Sequence, residues 1–231
     1  MRLQDQIAFF ILHRSALFMI DVVLRRAAMW FPPLSSKLPN NLSVSRRDVL
    51  FLCTNAVVEH GFMLLLLDFV GRMPLISFFS LVRVYALLWA DDILYGLLHR
   101  CLHERHIYPF VHAHHHIQKQ PHRGYADAGN ENPIEQVLAL SVHMLATHFV
   151  HMTVGLDGLS VVAHLFVKSV GSCLNHVDRA VTIHLGCGVT ISSQFHQEHH
   201  MKGCHNFTQF LPCVDRLQAR AAKKIAGEKR F

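Results

Sequence analysis

Four apolar runs dominate the chain: Val49 to Val70, Leu75 to Leu98, about Ile134 to Val154, and about Leu159 to Leu174, the last two short or polar for a full crossing of a bilayer. A helix needs about 20 mostly apolar residues to cross a membrane. Only Gly71-Arg72-Met73-Pro74 separates the first run from the second, and only Gly155-Leu156-Asp157-Gly158 the third from the fourth. Gly and Pro punctuate turns, so each pair reads as a helical hairpin. Composition agrees. Of the 231 residues, 51% are hydrophobic and 16% charged, where an average soluble domain has roughly 25% charged. That balance excludes a disordered chain, and 12 Gly with 8 Pro exclude a collagen-like one. The expected fold is all-α and integral to a membrane, with about four transmembrane helices in two hairpins.

The charges sort by side. Seven Lys/Arg lie in residues 1–48, four in 99–133 and eight in 175–231, out of 22 in all. The opposite side keeps Arg72 and Asp157. Basic residues collect on the cytosolic face, so these three segments are expected there, with both termini. A net charge of +6 invites a nucleic-acid reading, but the basic residues alternate with long apolar runs and no nucleic-acid motif is present. Glu59, His60, Asp68, Arg83, Asp91, Asp92, His143, His148, His151, His164 and Lys168 interrupt the runs. Such residues are expensive in a membrane, and the scattered histidines among them read as structural. Ile7 to Phe31 is apolar but holds Arg14, Asp21, Arg25 and Arg26, and Pro32-Pro33 ends it. It reads as an amphipathic helix on the membrane surface, so residues 1–48 form a surface segment and linker, and 49–231 the membrane-embedded domain. Six cysteines without a CxxC pair suit a reducing compartment rather than a disulfide framework.

Twenty of the residues are histidine, and they concentrate after the second run. His99 and His103 form HxxxH. His112, His115 and His116 form HxxHH, and His196, His199 and His200 repeat it. Positions i, i+3 and i+4 share a helix face, so each box can aim imidazoles at one place. Imidazole suits Fe, Zn, Cu and Ni. Eight ligands exceed one ion's needs, and a pair of metals is the natural reading. His114 breaks the pattern and is expected to point away. His106, His122 and His205 are reserve candidates.

The order of these motifs resembles the fatty acid hydroxylase/sterol desaturase superfamily of integral membrane di-iron enzymes. The resemblance runs from about Asp92 to Leu217: Asp92 seven residues ahead of His99-Arg100, Tyr108 leading into His112 to His116, Asn132-Pro133-Ile134-Glu135, Asn175-His176, Phe195 to His200, and then Asn206-Phe207, Phe210, Pro212 and Asp215-Arg216-Leu217. Asn132 stands where the family often has a histidine, Val177-Asp178 where it has Ser-Gly, Gln218-Ala219 where its Phe-Gly-Thr ending falls, and Ala113 where it has Lys. The resemblance implies two Fe ions held by the eight box histidines, with His176 as a ninth, and zinc able to replace iron in purified samples. It also implies oxidation of a membrane lipid by dioxygen, as a hydroxylase or desaturase acting on a fatty acyl, sphingoid or sterol substrate. No haem domain and no Gly-rich dinucleotide motif is present. The resemblance therefore implies electrons from NAD(P)H through a separate small haem cytochrome and its reductase, in the endoplasmic reticulum, with the boxes facing the cytosol. Metal-bound imidazoles need an acceptor on the other ring nitrogen. Asp92, Asp127, Glu131, Glu135, Asp178 and Glu198 are the candidates, and Asn132 could hold a metal-bound water. Two other classes compete: a non-catalytic lipid-binding or scaffold relative, and a metal-ion transporter, which would place ligands at mid-membrane, often within inverted repeats.

Overall fold

The computed structural model describes residues 3–34, 44–119, 121–217 and 220. Five long helices form a bundle: α1 (Leu3–Ala28), α2 (Arg46–Val70), α3 (Ser80–Leu102), and, after a cap segment, α6 (Pro133–Val154) and α7 (Gly158–Asn175). The cap holds two single-turn helices, α4 (Tyr108–Val111) and α5 (Tyr125–Ala128), and a 3-10 turn at His115–Ile117 between them. After α7 come β1 (Thr182–Gly186), β2 (Val189–Ser192) and α8 (Ser193–Lys202).

The protein is mostly helical, as expected, but not all-α. β1 and β2 pair antiparallel. Ile183 and Leu185 pack against the core, Val189 and Ile191 are buried in it, and hydroxyl or imidazole side chains alternate with them. The turn runs through Gly186, Cys187 and Gly188, all at positive φ. The alternation and the Gly-Cys-Gly turn are a hairpin signal that the helical reading of the chain passed over.

Local chemistry sets the helix starts. Ser45 and Asp48 form a capping box at α2, and Asp157 and Ser160 another at α7. α2 packs on α6, α6 on α3, α3 on α7, and α7 on α1. The turns ending α2 and α6 lie side by side: Gly158 and Leu159 donate backbone hydrogen bonds to Pro74 and Leu75, and Arg83 bridges to Asp157. All described cap segments lie at the other end.

Three of the described helices are long and apolar enough to cross a membrane: Gln4–Ala28, Arg46–Val70 and Pro133–Val154. The second and third are expected runs. The first is the N-terminal helix, expected on the surface. α1 instead stands beside α7, its His13 sharing a cavity wall with Leu165 and Lys168 and its Asp21 accepting the Tyr125 N–H at the cap. Its first turn is therefore toward the turn end, away from the cap. α3 and α7 carry Arg83, Asp91, Asp92 and Lys168 and hold the inner positions. The outer helices show large apolar side chains such as Leu12, Phe18, Val57, Leu65, Leu145 and Phe149 to the surroundings. Keeping ionisable groups inside and apolar groups outside is the arrangement a lipid solvent demands.

Candidate metal centre

α3 delivers His99 and His103 from its last turn, and α8 delivers His196, His199 and His200. The middle box is carried by His112, the residue that caps the end of α4, and by the 3-10 turn. Several anchors hold this cap in place. Asn55 of α2 donates to the carbonyls of Gly129 and Glu131, and Asn130 donates to Asp48. Asp92 of α3 accepts the backbone N–H groups of Gln209 and Phe210, and Asp215 those of Phe207 and Thr208. Tyr85 and the Trp89 indole bond the β1–β2 turn. Ser192 caps α8.

These anchors gather nine histidines into two adjoining groups: His99, His103, His112, His116 and His199 in one, and His115, His176, His196 and His200 in the other. Within each group the donor atoms lie within 4.8 Å of one another. The groups touch through His116 and His200, whose ring centroids are 4.6 Å apart. Each HxxHH box is divided. His112 and His116 serve one group while His115 serves the other, and in α8 His199 is split from His196 and His200 in the opposite sense. In α8, at about 100° per residue, i and i+4 point nearly alike while i+3 falls on the other flank; in the middle box the turn from α4 into the 3-10 helix makes the same division.

Four of the outer ring nitrogens are tied down, while Nδ1 of His115 and of His200 is buried without a partner. His99 Nδ1 donates to the Phe207 carbonyl at 2.8 Å, His112 Nδ1 to Glu135 Oε1 at 2.7 Å, His199 Nδ1 to the His205 carbonyl at 2.8 Å, and His176 Nδ1 to the Ser172 carbonyl at 2.8 Å. A carbonyl or carboxylate oxygen only accepts, so these Nδ1 atoms carry the proton and the Nε2 atoms carry lone pairs. The Nε2 atoms of His99 and His112 face each other at 3.0 Å, and that of His176 faces His196 Nε2 at 3.1 Å. Protons do not relieve this crowding. Burial holds His103 down at about 4, opposed to a charge also by Lys119. Burial, then His103, holds His112 at about 2. Burial outweighs the His205 carbonyl and holds His199 at about 3. Burial and neighbouring imidazoles keep His115, His116, His196 and His200 well below the usual range. Neutral imidazoles with converging lone pairs fit a bound cation.

The other candidate residues stand as follows. Of the six acidic candidates, Glu135 is the one whose carboxylate meets a ring of the two groups. Asp92 binds backbone instead. Asp127 holds Arg123 and the His122 N–H, Asp178 pairs with Arg179 at the surface, and Glu198 lies 3.9 Å from His205. Asn132 caps α6 by accepting the Ile134 N–H and donates to the Phe110 carbonyl. Its amide is thereby committed to backbone rather than to a metal-bound water. His114 turns from both groups toward Asn130 and Asp48. His106 is exposed, His122 faces Asp127, and His205 contributes its carbonyl rather than its ring. The carbonyls of Phe207, His205 and Ser172 had no sequence signal, since every residue has one.

A cavity of about 180 Å³ opens from the second group into the bundle. His115, His176 and His196 form its upper wall, Phe62, Met63, Leu140 and Leu165 line it apolarly, and Glu59, Tyr95 and Gln136 add polar groups.

Searches of curated proteins and of solved structures found no match. The fatty acid hydroxylase family model matches residues 83–219, which is more than half of the chain and covers α3 through the segment after α8. With that match added to the ordered boxes and the two histidine groups, the chain belongs to the fatty acid hydroxylase family, within the fatty acid hydroxylase/sterol desaturase superfamily.

Proposed function

We propose that the protein is a dioxygen-dependent membrane lipid hydroxylase or desaturase, and that its nine grouped histidines hold two iron ions. One observation carries the reading. In the first group the fixed, neutral Nε2 lone pairs of His99 and His112 converge at 3.0 Å, an arrangement that repels itself until a cation sits between them, and in the second the His176 lone pair faces His196 Nε2 at 3.1 Å. When bound, a pair of irons supplies the redox chemistry that lets dioxygen attack an unactivated C–H bond.

This chain's own residues do the rest. His99, His103, His112, His116 and His199 hold one ion, and His115, His176, His196 and His200 the other. Glu135 and the carbonyls of Phe207, His205 and Ser172 fix the ring orientations, which is how outer partners tune a metal site. The cavity takes the lipid chain. Phe62, Met63, Leu140 and Leu165 give the chain an apolar side to lie against, and the upper end of the cavity presents it to the second group. A fatty acyl, sphingoid or sterol substrate enters sideways from the bilayer. Electrons come from NAD(P)H through a small haem cytochrome and its reductase, with the cap on the cytosolic face of the endoplasmic reticulum.

The test is lipid profiling of cells expressing the wild type against His112→Ala and His199→Ala. The wild type should raise a lipid that has gained an oxygen atom or a double bond, and both variants should lose that product while the helical circular dichroism is unchanged. Identical lipids in all three, with electron donors present, would favour the scaffold class.

A further inference from the structure

Within the helical bundle, outside the nine-histidine centre, side chains from three helices meet: Asp91 of α3, His143 of α6 and His164 of α7. They are 1%, 2% and 0% exposed. One donor atom from each lies within 4.8 Å of the other two. Asp91 Oδ1 is 3.2 Å from His143 Nδ1, and Asp91 Oδ2 is 3.5 Å from His164 Nε2. The two rings stack, with centroids 4.9 Å apart. His164 Nδ1 and His143 Nε2 have no hydrogen-bond partner, and His164 Nε2 has only the long contact to Asp91. Buried polar atoms left unpaired in this way are costly, and the site asks for something that would use them.

We infer that Asp91, His143 and His164 form a third cation site, for a divalent first-row transition ion. Two imidazoles and a carboxylate are donors such ions accept. Metal–ligand bonds of about 2.0–2.1 Å place tetrahedral donors about 3.3 Å apart, close to the spacing of Asp91 from each imidazole. One competitor is visible: the Lys168 ammonium bonds Asp91 Oδ2. That ammonium also lies 5.5 Å from the centre of the Tyr95 ring and reaches the cavity. It therefore has a second resting place when an ion takes the carboxylate. His143 and Lys168 both line the cavity. Three protein donors leave a position for an exchangeable oxygen ligand, so the ion would meet a polar group on whatever lipid fills the cavity. The inference stands apart from the iron reading, because it uses none of the nine grouped histidines.

The test uses the full chain in detergent, stripped with a chelator, reloaded with Zn²⁺ and counted by elemental analysis. His164→Gln and His143→Gln should each bind one zinc fewer than the wild type, whatever number the nine histidines take. That difference, not the total, is the readout, so failure of the iron reading leaves it intact. Lys168→Met should keep the wild-type count and should be less destabilised relative to the wild type with zinc than without it. Equal counts in the wild type and both glutamine variants would overturn the site. So would a Lys168→Met protein destabilised to the same extent with and without zinc, which would mark a plain Asp91–Lys168 ion pair. If one glutamine variant does not fold, the other decides.

Discussion

At Glu135 a single oxygen connects α6 to the metal centre, because Oε1 accepts the His112 Nδ1 proton. Partners of this kind are worth roughly 10–100-fold in metal affinity or activity. Glu135→Ala should therefore weaken metal binding by about that factor, while Glu135→Gln, whose amide oxygen still accepts, should lose less. Metal titration with a competing chelator measures both. Asn132 makes the opposite case. The family often has a histidine there, yet this amide caps α6 and bonds the Phe110 carbonyl. Asn132→His should add no ligand. It should cost about 1 kcal/mol through the lost cap, read as a lower melting temperature with unchanged metal content.

The elements are held in register by close approaches that no longer side chain permits. α7 passes so near the segment after α8 that a Cβ on Gly171 would run into the Phe210 ring, and one on Gly96 of α3 would come within 2.8 Å of Thr208 Cγ2. Phe210 is fully buried, so it has no room to yield. Overpacking of this kind costs about 1–3 kcal/mol. The cost reaches the site, because the displaced segment carries the Phe207 carbonyl that orients His99. Gly171→Ala should lower both thermal stability and lipid oxidation, whereas alanine at Gly61, where a Cβ meets nothing within 4 Å, should leave both close to wild type. Parallel melting and activity measurements on the two variants check this.

Across the whole molecule, the direction of α1 decides the topology. α1 runs beside α7 toward the cap and is long and apolar enough to cross, so its first residues belong with the 71–79 turn rather than with the histidines. A tag placed before Leu3 and a tag in that turn should be reached from the same face of sealed vesicles, and the exposed Cys204 of the cap should be labelled from the other. A tag before Leu3 accessible from the Cys204 face would restore the surface-helix reading.

What the amino-acid order determined by itself was whatever depends on near neighbours. The apolar runs, the Gly- and Pro-marked turns between them, and the membership of His99, His103, the two HxxHH boxes and His176 in one region were all legible. So was Glu135 as a carboxylate opening α6. Each rests on spacing within a helical turn or on a run of one polarity, except His176, which only the resemblance to the family singled out. Only the tertiary structure decided which histidines share a group, because i+3 and i+4 diverge by about 100° and the second group's remaining member comes from another helix. It alone set α1 alongside α7, since an apolar stretch with four charges suits a surface as well as a bundle until Arg14 meets Glu59 and Asp21 meets the Tyr125 N–H. It alone chose the acceptors for His99, His176 and His199, because a backbone carbonyl has no side-chain signature. The same holds for Asp91, His143 and His164. They are 52 and 21 residues apart in order and read singly as interruptions in apolar runs, and only the packing of α3, α6 and α7 makes them one site.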